Sequence, residues 1–165
     1  MGPYIFSTHN NIHIIDLEKT AELLEKAADF LKEIAQKGGR VLFIGTKPSS
    51  RLAIESSAKI CQMPYVSEKW PSGLLTNYKT IRKRLEYLHE LEQKSQSEDF
   101  KKYTKKERTM IEKQISKMRH QFGGLVDMME LPQALFVVDV KENSTAVREA
   151  NRKEIPLVGI ADTNA

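Results

Sequence analysis

Val41-Leu42-Phe43-Ile44-Gly45-Thr46-Lys47-Pro48-Ser49 sets the architecture. Its first four residues are apolar on both faces, as a strand buried inside a parallel sheet must be. Gly45 to Pro48 then turn the chain into a helix from about Ser49 to Cys61, with Ala53, Ile54, Ala58 and Cys61 expected to face inward. Pro64-Tyr65-Val66 reads as a shorter second strand. On the N-terminal side, Asp16 is placed to cap a helix carrying Leu17, Ala21, Leu24, Ala28, Leu31 and Ala35 at helical spacing, with Gly38-Gly39 ending it. Before that helix, Tyr4-Ile5-Phe6 and Ile12-His13-Ile14-Ile15 read as a hairpin turning at Asn10-Asn11, because Asn tolerates left-handed backbone angles.

Towards the C-terminus, Ala134–Val138 after Pro132 reads as a buried strand ending at Asp139. A helix from about Asn143 to Lys153 buries Ala146, Val147 and Ala150, and Ile155–Ile160 is the last strand. Alternating strands and helices with apolar strands imply an α/β fold: a parallel sheet with helices on both faces.

Between the second and third parallel strands lies Lys69-Trp70-Pro71-Ser72-Gly73-Leu74-Leu75-Thr76-Asn77-Tyr78-Lys79-Thr80-Ile81-Arg82-Lys83-Arg84. It starts as a loop broken by Pro71 and Gly73, and Thr76 or Asn77 is placed to cap the helix that follows. That helix runs to about Lys94 with Tyr78, Ile81, Leu85 and Leu88 on one seam; a second, from about Lys105 to Phe122, carries Ile111, Ile115, Met118 and Phe122. The polar stretch 95–103 joins them, so an antiparallel helical hairpin with coiled-coil packing is expected. The division that follows is an α/β domain of residues 1–77 and 123–165 and an inserted hairpin of residues 78–122, with Gly123-Gly124 marking the return and Met128-Met129 read as core packing.

A chain of 165 residues that is 40% apolar and 29% charged suits one core and is short for two. Its apolar runs are far too short to span a membrane, and Asn10, Asn11 and His13 interrupt any secretory leader pattern. Cys61 is the sole cysteine, which removes an internal disulfide and fits a reducing compartment. The net charge of +4 is unevenly placed: residues 79–119 hold 13 of the 26 Lys and Arg against 7 of the 22 Asp and Glu. A basic centre on a near-neutral remainder predicts a polyanionic partner for that centre.

Loops at the carboxyl ends of adjacent parallel strands converge. Lys47, Arg51, Lys69, Trp70, Thr76, Asn77, Lys79, Arg82, Lys83 and Arg84 are therefore the candidate set for binding a phosphate backbone, and RNA-binding residues if that backbone is RNA. Lys79, Arg82 and Lys83 share a helix face while Arg84 turns partly away, and Trp70 is expected to pack at the hairpin root in preference to stacking on a base. Rival chemistries are poorly supported. Gly45–Lys47 lacks either phosphate-loop signature. Asp139 and Asp162 read as turn caps before metal ligands, and His9, His13, His89 and His120 show no ligand spacing. Ser49, Ser50 and Cys61 have neither an elbow motif nor a paired base. No metal, cofactor, small-molecule substrate or catalytic role is expected.

Taken together, these segments resemble the bacterial and organellar form of small-subunit ribosomal protein two. The resemblance is carried by Pro3–Phe6, Ile12–Leu17, Val41–Lys47, Lys69–Ile81, Pro132–Asp139, Ala146–Ala150, Ile155-Pro156 and Ile160–Asn164, in order along the chain. It implies a flavodoxin-like or Rossmann-like sheet with an inserted helical hairpin, no catalysis, and binding to small-subunit ribosomal RNA near the junction of head and body. It also implies contact with other small-subunit ribosomal proteins, including the large multi-domain ribosomal protein one, and residence in a cytoplasmic or organellar ribosome. Asn11 and Ser72 stand where the family usually has glycine, and Glu154 where it has a small or basic residue. The family's His- and Trp-bearing segment before Pro3 and its further strand and helix after Asn164 have no counterpart here, so the chain reads as the family's core.

Overall fold

A computed structural model describes residues 2–10 and 12–163. After a short 3-10 turn (Gly2–Tyr4) come β1 (Ile5–His9), β2 (Ile12–Ile15), α1 (Leu17–Gln36), β3 (Val41–Ile44), α2 (Pro48–Ile60) and β4 (Tyr65–Val66). Then follow α3 (Tyr78–Gln96), a 3-10 turn (Glu98–Lys102), α4 (Lys105–Phe122), a 3-10 turn (Gly123–Leu125), β5 (Ala134–Val138), α5 (Ser144–Arg152) and β6 (Leu157–Ile160).

The sheet is parallel throughout, in the order β4-β3-β5-β6 and flanked by helices, as the apolar runs require. Val41 to Ile44 align with Ala134 to Val137, and Leu135 to Val138 with Leu157 to Ile160. Leu42, Ile44, Leu135 and Val137 have no solvent exposure, so the two central strands hold the middle of the core. Strands β3 and β5 are neighbours although β4 and the helical pair lie between them in sequence. Their carboxyl ends are stapled by Asn143, itself 2% exposed. Its Nδ2 donates to the carbonyls of Val138 and Asp139, and its Oδ1 accepts from the Thr46 hydroxyl at 3.1 Å.

β1 and β2 form the expected antiparallel hairpin, with Asn10 left-handed at φ 50°. The other half of that turn, Asn11, lies outside the described residues, as does Asn164 of the C-terminal motif. Burial departs from the apolar pattern of the sequence at three places. Leu17 and Leu24 are exposed, at 77% and 67%, and α1 has no buried residue, because only its C-terminal half meets the sheet, through Ile34 beside Gly39. In α2 the inward positions are Ser50, Ile54 and Ala58, while Ala53 and Cys61 face solvent. The stripe therefore runs in steps of four from Ser50, whose hydroxyl donates to the Lys47 carbonyl at 3.0 Å. Met128 is buried, but its neighbour Met129 is exposed.

In α3, Ile81, Leu85, Leu88 and Leu91 are buried. Ile111, Ile115 and Met118 of α4 are half-buried and Phe122 is fully inside. Tyr78, Ile81, Leu85, Met118 and Phe122 belong to one apolar cluster continuous with the sheet core, so the roots of both helices are packed into the main body. Further out the two helices are joined by Glu92–Arg119 and by the Gln114 amide on the Tyr87 hydroxyl. α4 starts in a capping box, with the Glu107 amide bonded to Thr104 Oγ1 and the Glu107 carboxylate accepting from the Thr104 amide.

Candidate nucleic-acid interface

A single carboxylate organises the loop between β4 and α3. Glu149, on α5 and 7% exposed, accepts five hydrogen bonds from that loop. Its Oε1 takes the Trp70 indole N–H at 3.0 Å and the Gly73 amide at 2.8 Å. Its Oε2 takes the Leu75 and Thr76 amides and the Thr76 hydroxyl at 3.1–3.2 Å. A chain that wraps three amides round one anion must turn sharply, and Gly73 does so at φ 85°, where a side chain would be strained. Burial drives the Glu149 carboxyl pKa up, but the donors from Trp70, Gly73, Leu75 and Thr76 outweigh it and hold it below the ordinary glutamate value.

This network accounts for Trp70. The ring is 8% exposed and shares the core with Leu74 and Leu75, so it packs at the helix root, as expected. Thr76 likewise spends its amide and hydroxyl on Glu149. Asn77 occupies the first cap position of α3 without capping it: its side-chain oxygen accepts from the Thr80 hydroxyl at 2.9 Å and from no backbone amide. The first turn of α3 has no acidic residue.

Lys47, Arg51 and Lys69 converge on one cleft of about 540 Å³ at the carboxyl ends of β3, β4 and β5, beside Ser72, Asn143 and Thr145. Two of these cations have internal partners. Lys47 Nζ lies 2.5 Å from Asp139 Oδ2, which raises the lysine pKa and lowers that of the carboxyl. Asp139 is left-handed at φ 63° and its other oxygen accepts the Glu142 amide, so it acts as a turn residue. Arg51 binds Glu68 at 2.8 Å and the Thr46 carbonyl through Nε. Lys79, Arg82, Lys83 and Arg84 do not line the cleft; they stand exposed on α3, and Arg82 pairs with Glu86 at 3.0 Å. The ten candidates thus divide: three cations line the cleft, four stand on the helix beyond it, and Trp70 and Thr76 build the loop between, with Asn77 at the helix start.

Sequence reasoning passed over Glu149 as a functional residue. The available signal was its position with Ala146 and Ala150 on the apolar stripe of a short helix, where a charge is buried only if it is fully hydrogen-bonded.

This geometry coincides with a family-wide match: residues 1–165 fit the family model described as Ribosomal protein S2. The chain belongs to the ribosomal protein S2 family. Curated relatives named small ribosomal subunit protein uS2 include those of Hahella chejuensis, 44% identical over 165 residues, Parabacteroides distasonis, 43%, and Tolumonas auensis, 42%. Each alignment covers all of this chain and, in that order, 65%, 59% and 68% of the relative. The chain therefore spans about two thirds of the length of these family members.

Proposed function

We propose that this protein is a structural constituent of the small ribosomal subunit that binds small-subunit ribosomal RNA and neighbouring ribosomal proteins, supports translation there, and carries out no catalysis. The observation that carries the RNA reading is the Glu149-tied loop. It fixes Lys69 beside Lys47 and Arg51 at the sheet's carboxyl edge and launches α3 with Lys79, Arg82 and Lys83 exposed. Family membership supports the same reading.

Clustered Lys and Arg at loose spacing contact phosphates and read shape more than sequence. Lys69, Lys79 and Lys83, which have no ion-pair partner among the described residues, supply the free charge, while Lys47 and Arg51 exchange their carboxylate partners for phosphate on binding. Trp70 and Thr76 serve by holding the loop. The basic helical pair of residues 78–122 acts as a unit inserted into an α/β body of residues 1–77 and 123–165. Protein partners include the large multi-domain ribosomal protein one. Thermal stability with added ligand tests the reading against a nucleotide-binding one: a small-subunit RNA fragment raises the melting temperature, and mononucleotides do not. A shift with mononucleotides alone would replace it.

A further inference from the structure

Helix α1 carries a heptad seam that the described residues leave largely uncovered. Leu17, Ala21, Leu24, Ala28, Leu31 and Ala35 recur in alternating steps of four and three, so Leu and Ala take turns along one line of the helix. The helix turns a different line to the body: Ala27, Phe30 and Ile34 are half-buried, about a quarter-turn round from the seam. Leu31, where the two lines come closest, is half-buried, and the other five seam residues are exposed. The charges are sorted in the same way. The helix's own ion pairs, Glu22–Lys26 and Glu33–Lys37, lie on the face opposite the seam. Glu18, Glu25 and Lys32 flank the seam at every seventh position and have no ion-pair partner among the described residues.

We infer that the α1 seam is a docking surface for a second copy of this chain, forming an antiparallel, two-fold-symmetric helix pair. The pattern is complementary to itself. With the two-fold axis beside Lys26, Leu17 faces Ala35 of the second copy, Ala21 faces Leu31 and Leu24 faces Ala28, and the symmetry repeats all three contacts. Every layer then matches one large side chain with one small, which fills the seam evenly and lets the helix axes approach to about 8 Å. Parallel alignment would set Leu on Leu and Ala on Ala, crowding one layer and leaving a gap in the next. The flanking charges favour the antiparallel register as well, because Glu18 of each copy lies beside Lys32 of the other. Glu25 alone meets its own copy, near the axis. The seam is about 27 Å long, short for a coiled-coil interface, so a dissociation constant of about 10–100 µM is expected. It shares no residue with the strand-end cleft, so the inference does not depend on the RNA reading.

Sedimentation of the 165-residue chain at concentrations bracketing that constant should show a monomer–dimer equilibrium. Leu24→Glu is expected to weaken it at least about hundredfold with helix content unchanged, since it puts a charge on both sides of the axis. Leu52→Glu makes the same change at an exposed leucine of α2 and should stay within about twofold of wild type. Glu18→Lys should weaken the dimer, and Glu18→Lys/Lys32→Glu should restore it to within about twofold of wild type. Register is read by disulfide formation in a Cys61→Ser background. Leu17→Cys and Ala35→Cys chains mixed together should cross-link to each other in preference to themselves, at positions about 27 Å apart within one helix. Equal weakening by Leu24→Glu and Leu52→Glu would make the association unspecific and overturn the inference. Leu17→Cys chains that cross-link to themselves in preference to Ala35→Cys chains would overturn it too, in favour of a parallel pair. A wild type that stays monomeric throughout overturns it and leaves the seam to a helix of another protein or of a longer form of this chain.

Discussion

The loop from Lys69 to Asn77 and the outer face of α4 solve opposite problems. The loop turns its donors inward: three amides, an indole N–H and a hydroxyl all point at one buried carboxylate from a helix more than 70 residues away. The outer face of α4 turns Lys106, Lys113 and Lys117 outward, and none of the three has an ion-pair partner among the described residues. One region stores geometry and the other stores field. The difference explains how one surface can hold a defined shape and still be strongly basic: the cations are not needed to build the site, because Glu149 builds it.

The harshest way to break that contrast is Glu149→Ala. It strands the Trp70 indole and the Gly73, Leu75 and Thr76 amides, each unsatisfied donor costing about 1–3 kcal/mol before the loop relaxes. A net loss of about 3–5 kcal/mol is expected, read as a lower denaturant midpoint, with the helical content of a folded sample unchanged. Leu85→Ala attacks the root of the helical pair instead. Leu85 is 7% exposed between α3 and the core, and its truncation should cost about 2–4 kcal/mol. Amide exchange should then speed up in α3 and α4 more than in β3 and β5, and uniform acceleration would contradict the separation.

Acid sharpens the comparison differently. Glu149 and Asp139 both have folded-state pKa values below their ordinary ones, so the stability they contribute is present at neutral pH. It is lost as pH falls below the ordinary carboxylate range through those depressed values. Trp70 fluorescence should therefore report loosening of the loop on acidification before the helices melt. In Glu149→Gln that acid step should disappear. The smallest expected effect is that of Thr104→Ala, which removes the α4 cap at a cost of about 1 kcal/mol and leaves the loop and Trp70 fluorescence untouched.

What the sequence made legible follows the same division. Periodicity exposes the parallel strands, the two long helices and their seams, because burial along a regular element repeats at its own period. It also puts charge on the helices. It cannot show that Glu149 serves a loop between β4 and α3, since that pairing exists only once β3 and β5 lie side by side. Nor can it show that Lys47 and Arg51 carry carboxylate partners. The apolar stripe of α1 is real as a stripe but is not buried along its length. Leu17 and Leu24 face solvent because no described element covers that half of the helix.

The central claim is that charge placed by the Glu149-tied loop meets RNA phosphates. It is tested most directly by the salt dependence of binding to a small-subunit RNA fragment for Lys79→Ala/Arg82→Ala/Lys83→Ala, all three exposed at the start of α3. The account predicts weaker binding and a slope reduced by up to about one unit for each phosphate left without its cation, with the variant as stable as wild type to within about 0.5 kcal/mol. A folded triple variant that binds with unchanged affinity and slope would contradict it.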